Sequence, residues 1–398
     1  MLATDTKTSG TTAHHASAAL AEADRLMTVC NSCRYCEGLC AVFPAMEMRR
    51  SFSDGDLNYL ANLCHSCGAC FYDCQFSPPH AFDVNVPRVL AQVRNESYAH
   101  YAWPRALAPL FARNGTAIAL ITSACVAAFL FGFMALNDPK VMFGAQLGEG
   151  AFYRLMPHNA MAFLFGAAFL YALVALGLGL LRFWRDIGET RATLQDVGYN
   201  WQATQDTLRL RYLDGGGAGC MNQDDNPSKD RRRFYHHLTF YGFMLCFAST
   251  SVATLYHYLL GREAPYPWWD LPVVLGTLGG IGLVIGPLGL LRAKAVRDET
   301  MRAPEGRGME NAFTLMLFAL GTTGLALLVL RSTPAMGTLL AVHLGAVFGF
   351  FVTMPYGKFV HGLYRYAALV RFAKERKALH GPSPAECAVA VPNPKAGR

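Results

Sequence analysis

The sequence predicts an all-α chain in two parts, a small helical soluble domain followed by a bundle of six membrane-crossing helices. Three observations carry that reading. Eight of the twelve cysteines fall in two runs of the same spacing, C-x2-C-x2-C-x3-C, at Cys30, Cys33, Cys36 and Cys40 and again at Cys64, Cys67, Cys70 and Cys74. The 398 residues are 53% hydrophobic and 16% charged, too apolar for an ordinary soluble enzyme. The charge is also uneven: residues 1–113 have a soluble composition, whereas 114–360 contain long uncharged runs.

The cysteine runs define the first part. This spacing wraps three thiolates around one corner of an iron–sulfur cubane and sends the fourth elsewhere; in two-cluster ferredoxins the last cysteine of each run ligates the other cluster. The expected sets are Cys30, Cys33, Cys36 with Cys74 (cluster 1), and Cys64, Cys67, Cys70 with Cys40 (cluster 2). Two [4Fe–4S] clusters follow, close enough to exchange electrons. Zinc prefers cysteine pairs or Cys with His in a four-ligand set and fits triple runs poorly. A disulfide framework needs an oxidising compartment, and residues 1–20 lack the basic start and apolar stretch of a signal peptide. Ala41 and Gln75 stand where bacterial ferredoxins place Pro, which separates this domain from the small β-rich ferredoxins without touching ligation.

Residues 1–20 read as a frayed tail and 21–29 as a short helix delivering Cys30. Ser53 to Asp56 gives a turn or N-cap, after which Leu57, Leu60, Ala61 and Leu63 recur at helical spacing toward Cys64. A further helix over 86–101 leads through Trp103-Pro104 to the membrane part. The ferredoxin-like domain therefore spans 21–105, the membrane domain 106–377, and 378–398 form a C-terminal tail. Six uncharged runs, 114–136, 155–181, 234–260, 271–291, 311–330 and 335–357, each meet the roughly 20 residues needed to cross a bilayer. Glycines crowd the fourth, predicting close helix contact, and Pro287 predicts a kink. Cys125 and Cys246 lie in apolar helices as packing residues; Cys220 and Cys387 have no partner.

The loops give orientation. The 182–233 loop, the segment after the fourth span (Arg292, Lys294, Arg297) and the C-terminal stretch Lys374–Lys377 are basic, while the alternate loops carry little more than Lys140, Arg154, Arg262 and Arg331. The positive-inside rule makes the cluster domain and the C-terminus cytoplasmic. The net charge of +7 belongs to loops facing anionic lipid, and no basic-aromatic helix implies nucleic acid. The Gly215–Cys220 run lacks the Gly-Lys-Ser/Thr ending of a phosphate loop and reads as a turn. With no dinucleotide fingerprint, the chain is not expected to carry its own flavin or nicotinamide.

Polar residues inside a bilayer are costly and are functional candidates by default. Topology places His236 and His361 near the cytoplasm and His257 and His343 near the far side, so two cross-helix pairs, His236 with His361 and His257 with His343, are candidate ligands for one or two b-type haems. His237 is the alternative to His236. Helical spacing puts His343 and His361, 18 residues apart, on one face at about 3.6 residues per turn. His158, beside Pro157, reads as an interfacial anchor. Arg262 and Arg331 on the outer side, and Arg233 and Lys358 on the inner, are candidates for propionate contacts or plain topology charges. His65, Ser66 and Arg34 lie near enough in sequence to tune the clusters.

The double cysteine motif, the stretch RRRFYHHLTFYGFMLCFASTSVATLYHY (231–258) and the stretch MPYGKFVHGLYRYAALV (354–370) together resemble the tricarballylate/citrate utilisation protein B family, over about residues 24–377. The His343/His361 span is also similar to the haem-bearing helix of nitrate reductase gamma subunits. The resemblance implies an electron shuttle in the bacterial cytoplasmic (inner) membrane. In that role it reoxidises the reduced FAD of a tricarballylate dehydrogenase-type flavoprotein and passes electrons to the membrane quinone pool, without chemistry of its own on the organic acid. The rival expectations are a haem/iron–sulfur subunit of a thiol–disulfide or nitrate-type reductase running from quinol, and a membrane redox sensor.

Overall fold

The computed structural model describes residues 15–215 and 231–380; the N-terminal tail up to residue 14, most of the Gly215–Cys220 run, Cys220, Cys387 and the tail beyond 380 lie outside them. Every regular element among the described residues is helical. In the first domain, α1 (Ala18–Cys33) starts at Ser17, whose hydroxyl accepts from the Leu20 N–H. It stops at Arg34 in the left-handed region (φ 55°), whose N–H donates to the Cys30 carbonyl. Its last turn therefore presents Cys30 and Cys33. The short α2 (Val42–Glu47) follows Cys40. Next, α3 (Asp54–Leu63) opens on a capping box, Ser53 and Asp56 satisfying each other's backbone N–H, and delivers Cys64 at its end. Leu57, Leu60 and Leu63 of α3 are fully buried, each stabilising the domain by roughly 1.5–3 kcal/mol. The one-turn α4 (Ala69–Tyr72) carries Cys70, and α5 (Val86–Tyr101) packs across α1 and α3.

The second part contains α6 (Asn114–Leu136), the short α7 (Pro139–Met142), α8 (His158–Asp186), α9 (Arg191–Gln195), α10 (Val197–Leu208), α11 (Arg232–Leu260), α12 (Leu271–Ala295), α13 (Arg307–Leu330), α14 (Met336–Thr353) and α15 (Val360–His380). Six of these, α6, α8, α11, α12, α13 and α14, are long and apolar enough to cross a membrane. Glycines seat α11 on α12. A Cβ on Gly242 would stand 2.9 Å from the Gly279 carbonyl oxygen, and one on Gly279 would stand 2.7 Å from Cys246 Sγ, so only glycine permits this approach. Pro287 lies inside a continuous α12.

Two departures from the sequence reading matter for the site. First, α8 runs on to Asp186, past the expected end at 181, because its last turn docks on the cluster domain: Tyr101 Oη donates to Asp186 and Arg182 donates to the Ala102 carbonyl at 2.8 Å. Second, the chain does not run as one helix from His343 to His361. Pro355 and Gly357 interrupt it, α14 ends at Thr353, and α15 leaves the apolar bundle to lie on α3 and α10. The 18-residue spacing therefore fixes no common face.

The polar seam between α15 and the cluster domain is dense. Arg49, 8% exposed in its side chain, is paired with Asp56 (2.8 Å) and with Glu375. Tyr59 Oη donates to Glu375 at 2.9 Å, and Arg371 reaches Asp56 at 3.0 Å and Glu375 at 2.9 Å. Both guanidinium groups lie over the Tyr59 ring, at 4.9 and 4.4 Å. Burial pushes the Asp56 carboxyl up, but hydrogen bonds from Arg49 and Ser53 and the charges of Arg49 and Arg371 outweigh it and hold the group below its usual range. The sign follows: a depressed carboxyl contributes stability that is present above the unfolded value of about 4 and is lost as pH falls through the folded one. Glu375→Ala, which strips Arg49 of a buried partner, is expected to cost about 3 kcal/mol, and Asp56→Asn to flatten the acid limb of stability against pH. Denaturant midpoints followed by circular dichroism between pH 3 and 7 check both; an unchanged midpoint and an unchanged acid limb contradict the seam's role.

Candidate metal centres at the domain junction

Two cavities hold the eight cysteines. The first is lined by Cys30, Cys33, Cys36 and Cys74 with Phe43 and Phe76. The second is lined by Cys40, Cys64, Cys67 and Cys70 with Leu63 and Tyr212. Each takes three cysteines from one run and the fourth from the other, because α1 and the turn after it present one trio while the segment after α4 brings Cys74 across. Among the described residues, no three His, Cys, Asp or Glu side chains form a group that holds a single ion. A cubane needs something different, one thiolate on each of four irons around a hollow, and the two cysteine-lined hollows fit [4Fe–4S] clusters rather than zinc.

The thiols raise one another. Burial, then the neighbouring Cys36, Cys74 and Cys33, pushes Cys30 up to about 12; burial, Cys74 and Cys33 push Cys36 to about 12. Burial, Cys67 and Cys64 push Cys40 higher still. To be thiolates here, these groups would need a cationic core among them. Backbone N–H groups already aim at the sulfurs: Ser66 N–H donates to Cys64 Sγ at 3.3 Å, and those of Ala69 and Phe76 face Cys67 and Cys74. Ser66 (φ 48°) and Gly68 (φ 101°) bend the loop to allow it. His65 lines the second cavity with Nδ1 on the Leu63 carbonyl (3.0 Å); burial and the charges of Arg365 and Arg232 hold it well below its usual range, neutral. Arg34, by contrast, is an exposed cap with Nε on the Asn31 carbonyl.

The cavities differ in enclosure. At the first, Cys33 is exposed and Tyr35 is 70% exposed. The second is roofed by the membrane part. Tyr212 lines it, Met301 packs on Gly68, and Gly215 (φ +62°) lies so close that a Cβ there would sit 3.1 Å from Cys67 Sγ. Three guanidinium groups grip its loop. Arg94 of α5 donates to the carbonyls of Ala61 (3.0 Å) and Cys64 (2.6 Å) and to Ser66 Oγ (2.8 Å). Arg232, at the start of α11, donates to the carbonyls of Ser66 (2.9 Å) and His65 (3.0 Å); Arg365 of α15 donates to the Cys64 carbonyl at 2.7 Å. Sequence reasoning took Arg232 for a topology charge and left Arg94 and Arg365 without a role. The spacing held a signal: Arg232 is four residues before His236 and Arg365 four after His361, one helical turn in each case.

Those two histidines meet. The His236 and His361 ring centres are 6.3 Å apart at 73°. Imidazoles on opposite sides of one metal, each with a metal–nitrogen bond of about 2.0 Å, place their ring centres roughly 6 Å apart. His361 Nδ1 donates to the Lys358 carbonyl, which frees Nε2 as a ligand, the usual second bond of a metal-bound histidine; His236 Nδ1 is buried without a hydrogen-bond partner. This pair fits haem ligation. His237 lies instead against the half-exposed Tyr241 (5.7 Å).

The outer pair expected of His257 and His343 does not form, because each is engaged elsewhere. His257 stacks on His158 with ring centres 3.5 Å apart, leaving no room for an iron between the rings. His343 Nδ1 bonds Thr323 Oγ1 at 2.9 Å, with its ring against Gly324 of α13. The structure therefore brings His257 to His158 and His343 to Thr323, and does not set His257 and His343 ring to ring as it does His236 and His361. The propionate candidates are likewise occupied: Arg262 by Asp270, Arg331 by the Tyr266 carbonyl (2.7 Å), Arg233 by Asp214 (2.9 Å) and Lys358 by Glu310 (2.8 Å).

Comparison with known proteins agrees with this two-part plan. Residues 23–100 match the citrate utilization protein B Fer4-like domain, and residues 110–382 match the citrate utilization protein B family. The chain is 48% identical over 358 residues to "Citrate utilization protein B" of Escherichia coli, covering 90% of this chain and 93% of that one. No solved structure matches.

The crossing of Cys74 and Cys40 between the two cavity linings gives a direct test of cluster ligation. Cys74→Ser is expected to cost the first cluster and Cys40→Ser the second, so each variant retains about half of the roughly eight irons of a two-[4Fe–4S] protein. Gly215→Val should weaken only the second. Iron and acid-labile sulfide assays with electron paramagnetic resonance (EPR) read the outcome; loss of the same cluster in both cysteine variants contradicts the crossing.

Proposed function

We propose that this chain, which belongs to the citrate utilization protein B family, is an electron-transfer protein of the bacterial cytoplasmic membrane. It takes electrons from the reduced FAD of a partner dehydrogenase of the tricarballylate dehydrogenase type and delivers them to membrane quinone. The residues that would hold its carriers are the two crossed cysteine sets, for two [4Fe–4S] clusters, and His236 with His361, for one b haem. When bound, these groups supply one-electron storage, and the organic substrate is oxidised on the partner.

The observation that carries the reading is the double tie of the second cysteine cavity. Arg232 and Arg365 hold its loop by hydrogen bonds, and each sits one helical turn from one of the two facing histidines. Iron–sulfur and haem positions are thus set by the same two helices. The exposed Cys33 edge of the first cavity is where a soluble donor reaches the chain, and the roofing of the second by Tyr212, Gly215 and Met301 excludes water from the inner one. The basic loops 182–233 and 292–297 and the Lys374–Lys377 stretch support a cytoplasmic cluster domain and C-terminus.

A reduced-minus-oxidised spectrum of the detergent-purified protein, with a pyridine haemochrome assay, is expected to show one b haem per chain. His361→Ala should lose the haem band and keep both clusters, and Cys67→Ser should keep the haem but abolish its reduction by the partner's flavin. Full quinone reduction by both variants would overturn the route.

A further inference from the structure

Charge is sorted between the two cavities. Carboxylates lie beside the first: Asp73 repels the Cys36 thiolate, and Glu37 and Glu47 sit together nearby, with the exposed Arg34 as the cation on that side. Guanidinium groups surround the second. Beyond the clamp of Arg94, Arg232 and Arg365 there is a fourth: Arg297, just past the end of α12, has Nε and Nη2 buried with no hydrogen-bond partner, within electrostatic reach of Cys64 and Cys67. Glu310, the carboxylate whose charge acts on it, is already paired with Lys358, and Lys294 is bonded to the Glu310 carbonyl at 3.1 Å.

Buried guanidinium nitrogens without partners are costly unless an anion compensates them. Four thiolates on a [4Fe–4S] core make that anion, and taking up one electron makes it more negative by one. Cations beside it therefore favour the reduced form, and carboxylates disfavour it.

We propose that Arg297, together with the Arg94–Arg232–Arg365 clamp, sets the second cluster at a higher reduction potential than the first, so that the pair is polarised from its exposed member toward the membrane. This rests on the two-cluster reading of the cysteines and adds a direction to it. Arg297 is a tuning residue rather than a ligand, and because its Nε and Nη2 hold no bond, replacing it breaks none there.

The test is an EPR-monitored redox titration of the full-length protein in detergent. Wild type is expected to show two one-electron waves. In Arg297→Gln the more positive wave should fall, the reduced-to-oxidised ratio at fixed poise dropping about tenfold, or about 59 mV for a one-electron couple, with the lower wave unmoved and Arg297→Lys restoring most of the shift. Asp73→Asn should raise the lower wave alone, and it decides the question should Arg297→Gln fail to assemble. A shift of the lower wave in Arg297→Gln, or of neither with iron content intact, overturns the proposal. Wild type lacking cluster iron and sulfide would instead overturn the two-cluster reading beneath it.

Discussion

The structure depends on the grip of three guanidinium groups on one short loop. The carbonyls of Cys64, His65 and Ser66 have no partners within a helix, because the backbone must leave helical geometry there to aim sulfurs and N–H groups inward. Arg94 satisfies them from within the cluster domain, Arg232 and Arg365 from two other helices. Charge-assisted bonds of this kind are stronger than neutral ones, and the planar fork of Arg lets one side chain span two carbonyls. Together with the α8 docking contacts and the seam on α15, they tie the ferredoxin-like domain to the apolar helices at the second cavity.

From that grip the rest follows. Arg232 fixes the start of α11 and so the height of His236, and Arg365 fixes the rotation of α15 and so the face that His361 presents. The Arg49–Asp56–Arg371–Glu375 seam holds the other end of α15 against α3. Only after the Pro355–Gly357 break can α15 turn from the bundle toward the cluster domain, so the interruption that ends the last apolar helix is also what lets a histidine and an arginine one turn apart face a haem site and a cluster loop. Burial then does the sorting: the second cavity lies under two membrane-domain segments, the 212–215 stretch and that of Met301, while the first keeps an exposed edge.

Much of this was legible in the sequence. The two cysteine runs led to both cavity linings, and the uncharged runs located all six apolar helices to within a few residues, because thiolate spacing and a hydrocarbon thickness are local constraints written in consecutive residues. His236 and His361 were reachable from topology, since each lies at the end of an apolar run on the same side. What spacing did not reach is the setting of the outer histidines. The arithmetic joining His343 to His361 assumed one helix, and the partner of His257 came from a helix start, His158, whose position depends on the loop before it. The clamp and the unpaired Arg297 were hidden for a different reason: a basic residue beside a membrane span has an ordinary explanation as a topology charge, and only tertiary structure shows which carbonyls or sulfurs it meets.

The central claim is that one cluster, the one bound by Cys40, Cys64, Cys67 and Cys70, lies against the His236–His361 site and the other does not. Spin–spin coupling measures this directly. In oxidised protein cryoreduced in a frozen glass, which traps reduced clusters beside ferric haem, pulsed EPR should show fast, haem-enhanced relaxation for one cluster signal, the one abolished by Cys40→Ser, and slower relaxation for the one abolished by Cys74→Ser. Equal enhancement of both, or enhancement of the cluster that Cys74 holds, would contradict the arrangement.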